Sequence, residues 1–193
     1  MPLMLLLLPL SIYWVDSAMA ADKVARNVSI EGTDVSRYTP TEAAAVVDAH
    51  ADELEQTPLT VSINGHEFTL DPNDVNVTFE RQRAVERALS ENKDGLTGWV
   101  RAFRTEVDVP IVGSIDRDML AKKITGWEHT AIENPAFEGA VTISGQTASG
   151  EYPRPGVAVD RDDAYERISK AITTGSTELV ELNVVDSNPT LTA

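Results

Sequence analysis

Residues 60–90 read TVSINGHEFTLDPNDVNVTFERQRAVERALS, and residues 140–170 read AVTISGQTASGEYPRPGVAVDRDDAYERISK. At an offset of 80, without a gap, they agree at Val61/Val141, Ile63/Ile143, Gly65/Gly145, Val77/Val157, Arg81/Arg161, Ala84/Ala164, Glu86/Glu166 and Arg87/Arg167. LTVSI and HEFTL alternate as strands do and meet at Asn64-Gly65, the strongest short hairpin signal, because both turn positions need positive φ. Ser144-Gly145 supplies the corresponding turn in the second stretch. After each hairpin come a Pro-containing loop, a short strand (VNVTF, GVAVD) and a helix. In the second helix Asp160 is placed to cap, Ala164, Ile168 and Ile172 form a buried stripe, and Gly175 ends it. Ala84 and Ala88, flanked by Val85 and Leu89, make the matching stripe.

The repetition extends upstream. VSIEG at 28 matches VPIVG at 109 with an offset of 81, and each precedes a helix. The first helix is announced by Thr39-Pro40-Thr41-Glu42, a capping box with Pro at the first helical position. It should run to about Glu53, with Ala43, Val46, Val47 and His50 inward. The second carries Leu120, Ile124 and Trp127 at i, i+4 and i+7. Between the copies, ENKDGLTGWVRAFR predicts a loop and a short helix capped by Thr97 that buries Val100 and Phe103. ELVELNVV reads as a last strand over 179–185. The predicted fold is therefore α+β: two tandem strand-helix-hairpin-strand-helix units, at 27–105 and 106–193, after an apolar segment (1–20) and a polar tether (21–26). DSNPTLTA reads as the approach to further structure, so the chain is expected to continue beyond Ala193.

The segment MPLMLLLLPLSIYWV is uncharged. Its apolar run from Pro2 to Val15 would span about 21 Å as a helix, short of the ~30 Å hydrocarbon core. Ala18-Met19-Ala20 has the small-x-small form of a signal-peptide cleavage site. No Lys or Arg precedes the run, however, so the preferred reading is the outer half of a membrane anchor that begins upstream, with Tyr13 and Trp14 at the interface. Either way the remainder lies outside the cytoplasm. A net charge of −15 argues against nucleic acid or an anionic membrane face as partner, because both are polyanions. With no cysteine there is neither a disulfide nor a thiolate site.

No enzyme motif is present, and none of the catalytic or cofactor signatures that depend on Gly-rich loops or activated Ser occurs. His50, His66 and His129 are too scattered for a metal site. Asp71, Asn73, Asp74 and Asn76 alternate oxygen ligands but lack the closing Glu of a calcium loop, and beside Pro72 they read as turn formers. Asp160, Asp162 and Asp163 suit a helix start, where the dipole favours negative charge. The candidates for a ligand surface are Tyr152 and Arg154, in the loop of the second copy, and Trp99 and Arg101, in the segment between copies. Aromatic faces beside charged hydrogen-bonding groups suit carbohydrate, although Trp99 is read first as filling the joint between copies.

The order of these signals resembles a known family. V-x-I-x-G-x-D-V-S followed by T-x-x-E-A, here Val28, Ile30, Gly32, Asp34, Val35, Ser36, Thr39, Glu42 and Ala43, is similar to the extracytoplasmic N-terminal region of VanW-type bacterial envelope proteins. That region contains a peptidoglycan-binding domain, also found ahead of some L,D-transpeptidase domains. Gly95, the stretch around Arg101 and Arg104, Gly113 and PGVAVD at 155–160 continue the likeness, which covers 27–193. Where the family has a Gly soon after D-V-S, this chain has Arg37-Tyr38. The resemblance implies a non-catalytic, membrane-tethered module without cofactor that contacts peptidoglycan or another cell-wall polymer. The alternative is a rigid spacer or protein-interaction stalk without glycan affinity.

Overall fold

The computed structural model describes residues 14–15, 21–144 and 147–188. Elements follow in the order β1 (Val28–Ile30), β2 (Thr33–Asp34), α1 (Pro40–Gln56), β3 (Leu59–Ile63), β4 (His66–Leu70), a 3-10 turn (Pro72–Val75) and β5 (Thr78–Phe79). Next come α2 (Arg81–Ser90), α3 (Gly95–Arg101), β6 (Val107–Val109), β7 (Gly113–Ser114) and α4 (Arg117–Ala131). The last are β8 (Ala140–Ser144), β9 (Thr147–Glu151), β10 (Gly156–Val159), α5 (Arg161–Thr173), β11 (Val180–Leu182) and β12 (Val184–Ser187). The fold is thus mixed α+β with several small sheets, the class the sequence predicts.

The chain divides into two compact units, and neither is one continuous stretch. The first joins the chain up to Leu54 with Thr78–Gly113; the second joins Glu55–Val77 with the chain from Ser114 onward. This division differs from the linear one drawn at 105/106: the β3–β4 hairpin leaves the first stretch, and β6 leaves the second. Each unit has a three-stranded sheet of one topology. In the first, β1 pairs antiparallel with β2 and parallel with β6. In the second, β3 pairs antiparallel with β4 and parallel with β11, with Val61, Ser62 and Ile63 opposite Val180, Glu181 and Leu182.

Sequence periodicity explains how each sheet is covered. In the first unit α1 buries Ala43, Val47 and Ala51, while α2 buries Ala84 and Ala88. Ala43, Val47, Ala84 and Ala88 share a cluster with Val28, Ile30, Val35, Val109 and Ile111. In the second, α4 buries Leu120, Ile124 and Trp127, and α5 buries Ala164, Ile168, Ala171 and Ile172. The Trp127 ring stacks on Phe68 of β4, centroids 5.2 Å apart. β3 is largely buried, with Val61 and Ile63 fully enclosed, as a central strand requires.

Local chemistry sets the element ends. Asn64 and Gly65 take φ of 50° and 82° and close the β3–β4 hairpin. Asp160 accepts from the backbone N–H groups of Asp162 and Asp163 to cap α5, and Asp116 does the same for α4 through Asp118 and Met119. At α1 the capping box forms as expected: the Thr39 N–H and hydroxyl both donate to Glu42 Oε2 at 2.8 Å, and the Glu42 N–H donates to Thr39 Oγ1. Asp71 caps the 3-10 turn by accepting from the Asn73 N–H, and Asn76 closes it at φ 48°. The Asx residues there form a turn, as read.

Other expectations change. VNVTF yields only Thr78–Phe79 as strand, because the Asp71-capped turn uses Val75. The run 179–185 splits at Asn183 into strands of different sheets, β11 beside β3 and β12 antiparallel to β10. α3 has Asp94, not Thr97, at its cap position; the Thr97 hydroxyl instead donates back to the Asp94 carbonyl. Nor does α3 bury Val100 and Phe103; Gly98 and Ala102 are its inward residues. The predicted Ser144-Gly145 turn falls at Gly145 outside the described residues, as does the N-terminal apolar run apart from Trp14 and Val15. Among the described residues no helix is long and apolar enough to cross a membrane.

Two consequences can be measured. Arg37, standing where the resembled family has Gly, adopts φ 69°. A side chain in that region costs about 1–2 kcal/mol, whereas an added Gly gives back about 0.4–1 kcal/mol through the unfolded chain. Arg37→Gly should therefore raise stability by roughly 0.5 kcal/mol in urea unfolding, and a clear loss would contradict the strain. The Glu42 carboxyl is held below its ordinary value near 4.5, first by the Thr39 backbone N–H and then by the Thr39 hydroxyl. Its contribution is complete above the unfolded value and is lost as pH falls through the folded one. Stability of the native chain and Glu42→Gln should thus differ at neutral pH and converge in acid.

Candidate functional site

The second unit contains an open cleft of about 590 Å³. One wall is α4 through Thr125, Glu128 and His129; another is the segment 136–139; the rest comes from β10, the start of α5 and β12. The segment 134–137 is held against β10 by backbone bonds, Ala136 N–H to Val157 O and Val157 N–H to Asn134 O, both at 3.0 Å. Gly156 makes this approach possible. A Cβ there would lie 2.6 Å from Asn134 O and 2.7 Å from Ala136 N. The glycine of PGVAVD therefore has a steric reason: the cleft wall passes too close for any side chain.

At the cleft floor Glu128 is 6% exposed. Its Oε1 accepts from the Val159 N–H at 2.6 Å and Arg161 Nη1 at 2.9 Å, and its Oε2 accepts from Arg161 Nη2 at 2.7 Å. Arg161 Nη2 also donates to Thr125 Oγ1 at 3.1 Å. This fork-to-fork pair ties the last turn of α4 to the first of α5, and it satisfies a carboxylate that would otherwise be costly to bury. The first unit has a looser counterpart: Arg81, the first residue of α2, reaches Asp52 at 2.7 Å and Asp48 at 3.4 Å on α1. Asp48 and Glu128 are themselves 80 residues apart, as Arg81 and Arg161 are. The arginines stand out in the repeat but their partners do not, because the carboxylates lie on the preceding helix, where only the same offset carried upstream pairs Asp48 with Glu128.

The cleft mixes apolar surface (Phe137, Ala158, Val185) with Asp160, Asp186, Glu138, His129 and the half-exposed Arg161. Such a surface can accept hydrogen bonds from hydroxyl and amide groups while packing against an apolar ring face. One Asp160 oxygen is already occupied in capping α5. Among the described residues no group of three or more His, Asp or Glu side chains is arranged to hold a metal.

Of the four ligand candidates from sequence, Trp99 and Arg101 belong to the first unit and Tyr152 and Arg154 to the second. Tyr152 is 75% exposed in the link between β9 and β10. Arg154 exchanges backbone hydrogen bonds with Phe137 at 2.8 and 3.0 Å, and its guanidinium lies 5.5 Å from the Phe137 ring centroid. Arg154 therefore borders the cleft through one of its lining residues. Trp99 is half-buried, edge-on to Phe103 at 5.0 Å. Arg101 is exposed and faces Asp94 at 3.7 Å. Of the histidines, His66 is a solvated strand residue as read, His50 is within 2.9 Å of the Thr33 hydroxyl, and His129 lies at the cleft.

Residues 68–180, more than half of the chain, match a family described as a putative peptidoglycan binding domain. By that match the chain belongs to this family of cell-wall-binding modules. The matched stretch is shorter than the 27–193 of the sequence resemblance; it includes Tyr152, Arg154, the Glu128–Arg161 pair and the cleft lining except for the part from β12. No curated protein and no solved structure matches the chain.

The two ion pairs should differ in worth. Glu128→Ala strands Arg161 and the Val159 N–H, and the expected loss is about 3 kcal/mol, the lower end for a buried pair because Arg161 is partly solvated. Asp52→Ala removes only an exposed partner and should cost about 0–1 kcal/mol. Denaturant midpoints of the two variants test this; equal losses would show that burial does not separate them.

Proposed function

We propose that this protein is a non-catalytic cell-wall module that binds peptidoglycan outside the cytoplasm and holds an attached, membrane-tethered envelope protein of VanW type close to the wall. The family match over residues 68–180 carries the reading. The cleft beside Phe137, with Arg154 at its border and the exposed Tyr152 two residues before it in the β9–β10 link, is the surface assigned to the polymer. The open shape suits a chain that continues past the site at both ends, as a polymer does. Binding of this kind raises the effective concentration of whatever the module is joined to. The N-terminal apolar run supports the tether, because its composition fits the hydrocarbon and the polar tether after it begins immediately.

A second reading has one observation in its favour. The net charge of −15 disfavours contact with anionic wall polymers, and a rigid spacer without glycan affinity would have no such conflict. Co-sedimentation with isolated sacculi decides between them. The purified chain should pellet with sacculi across a range of salt, and Tyr152→Ala with Arg154→Ala should weaken binding by about tenfold, or ~1.4 kcal/mol. A chain that stays in the supernatant at every salt concentration is a spacer.

A further inference from the structure

The short helix α3 and the turn after it carry Leu96, Val100 and Phe103 at i, i+4 and i+7, and these are 50%, 40% and 52% exposed. Trp99 lies half-buried between them, against the Phe103 ring. Residues 95–105 contain Arg101 and Arg104 and no carboxylate, in a chain with 31 acidic and 16 basic residues. The nearby acids are Asp94, which faces Arg101, and Asp22, Glu91 and Glu106 in the adjoining sequence.

This face is fixed beside the N-terminal tether. The Arg26 guanidinium sits 5.3 Å from the Phe103 ring centroid. Asn92 Nδ2 donates to the Arg26 carbonyl and Lys93 Nζ donates to the Ala21 carbonyl, both at 3.2 Å. Residues 16–20 alone separate Ala21 from the apolar run that ends at Val15, a reach of at most about 22 Å over the six steps of chain.

We propose that the Leu96–Val100–Phe103 face of α3 rests on a lipid bilayer surface, next to the place where the N-terminal apolar run enters it. The chemistry suits the interface. Leucine, valine and aromatic side chains reach the acyl boundary, while the exposed Arg101 and Arg104 extend to the phosphates. In an otherwise strongly acidic protein, this stretch is one that anionic headgroups would not repel. The contact would also set the orientation of the first unit on the membrane, which a flexible tether alone cannot do. The inference rests on the tethered reading above.

Because the chain has no cysteine, one nitroxide label can be placed without background. Val100→Cys is labelled in the full chain, reconstituted into vesicles of phosphatidylcholine and phosphatidylglycerol, and compared with a label at exposed Val141→Cys. At Val100, collisions with oxygen should exceed those with a water-soluble nickel chelate severalfold; at Val141 the order should reverse. A Val100 label as open to nickel as the Val141 label overturns the proposal and leaves the tether standing. A Val100 label shielded from both reagents also overturns it, because protein then covers the face. Lipid exposure at both positions would mean that α3 is not the contacting face. If the full chain does not float with the vesicles, the tether and this proposal fall together.

Discussion

The fold depends on the parallel pairing of β3 with β11. A two-stranded hairpin is marginal by itself in water, and β3–β4 has no other main-chain partner for Val61–Ile63. Val180–Leu182 supplies it across more than a hundred residues of chain. The pairing makes β3 central, and its Val61 and Ile63 are then fully buried, while α4 stacks Trp127 on Phe68 of the neighbouring β4. The hairpin is thereby committed to helices that follow far behind it. The first unit uses the same device, with β6 completing the β1–β2 hairpin.

The consequence is an interleaved chain. A unit whose sheet is completed by a strand from later in the sequence cannot be cut out as a continuous segment. The family match, from Phe68 in β4 to Val180 in β11, accordingly covers parts of both units. It also makes the helix pairs the natural module. α1 with α2, and α4 with α5, each place an arginine at the start of the second helix against a carboxylate of the first. Solvent separates the two cases: Arg81 meets aspartates more than half exposed, while Arg161 meets a buried glutamate that also takes a backbone N–H. The same pairing is a surface contact in one unit and the floor of a cleft in the other.

Much of the local structure was legible in the residues. Thr39 to Glu42, Asn64-Gly65, Asp160 and the Ala164/Ile168/Ile172 stripe each behave as read, because caps, tight turns and buried stripes depend on near neighbours. The candidate site was legible only in part. Of Tyr152 and Arg154, chosen from loop position and chemistry, Arg154 touches the cleft-lining Phe137. Glu128, His129 and Asp186 were not recognised, since each is unremarkable until three distant segments converge. The apolar residues of α3 were misread for the opposite reason. Their helical spacing predicts a buried stripe, but the neighbouring core is already filled, and Gly98 and Ala102 make the close approach instead.

The sequence by itself determined the α+β class, the buried stripes of α1, α2, α4 and α5, the hairpin turn at Asn64-Gly65 and the strand-forming runs. These follow from side-chain periodicity, positive-φ preferences and capping, whose range is a few residues. Only the tertiary structure decided which strand joins which sheet, where ELVELNVV breaks, and which carboxylate meets Arg161. Strand pairing and ion pairing are satisfied equally well by partners near or distant in sequence. The choice among them comes from burial, which exists only once the whole chain has folded.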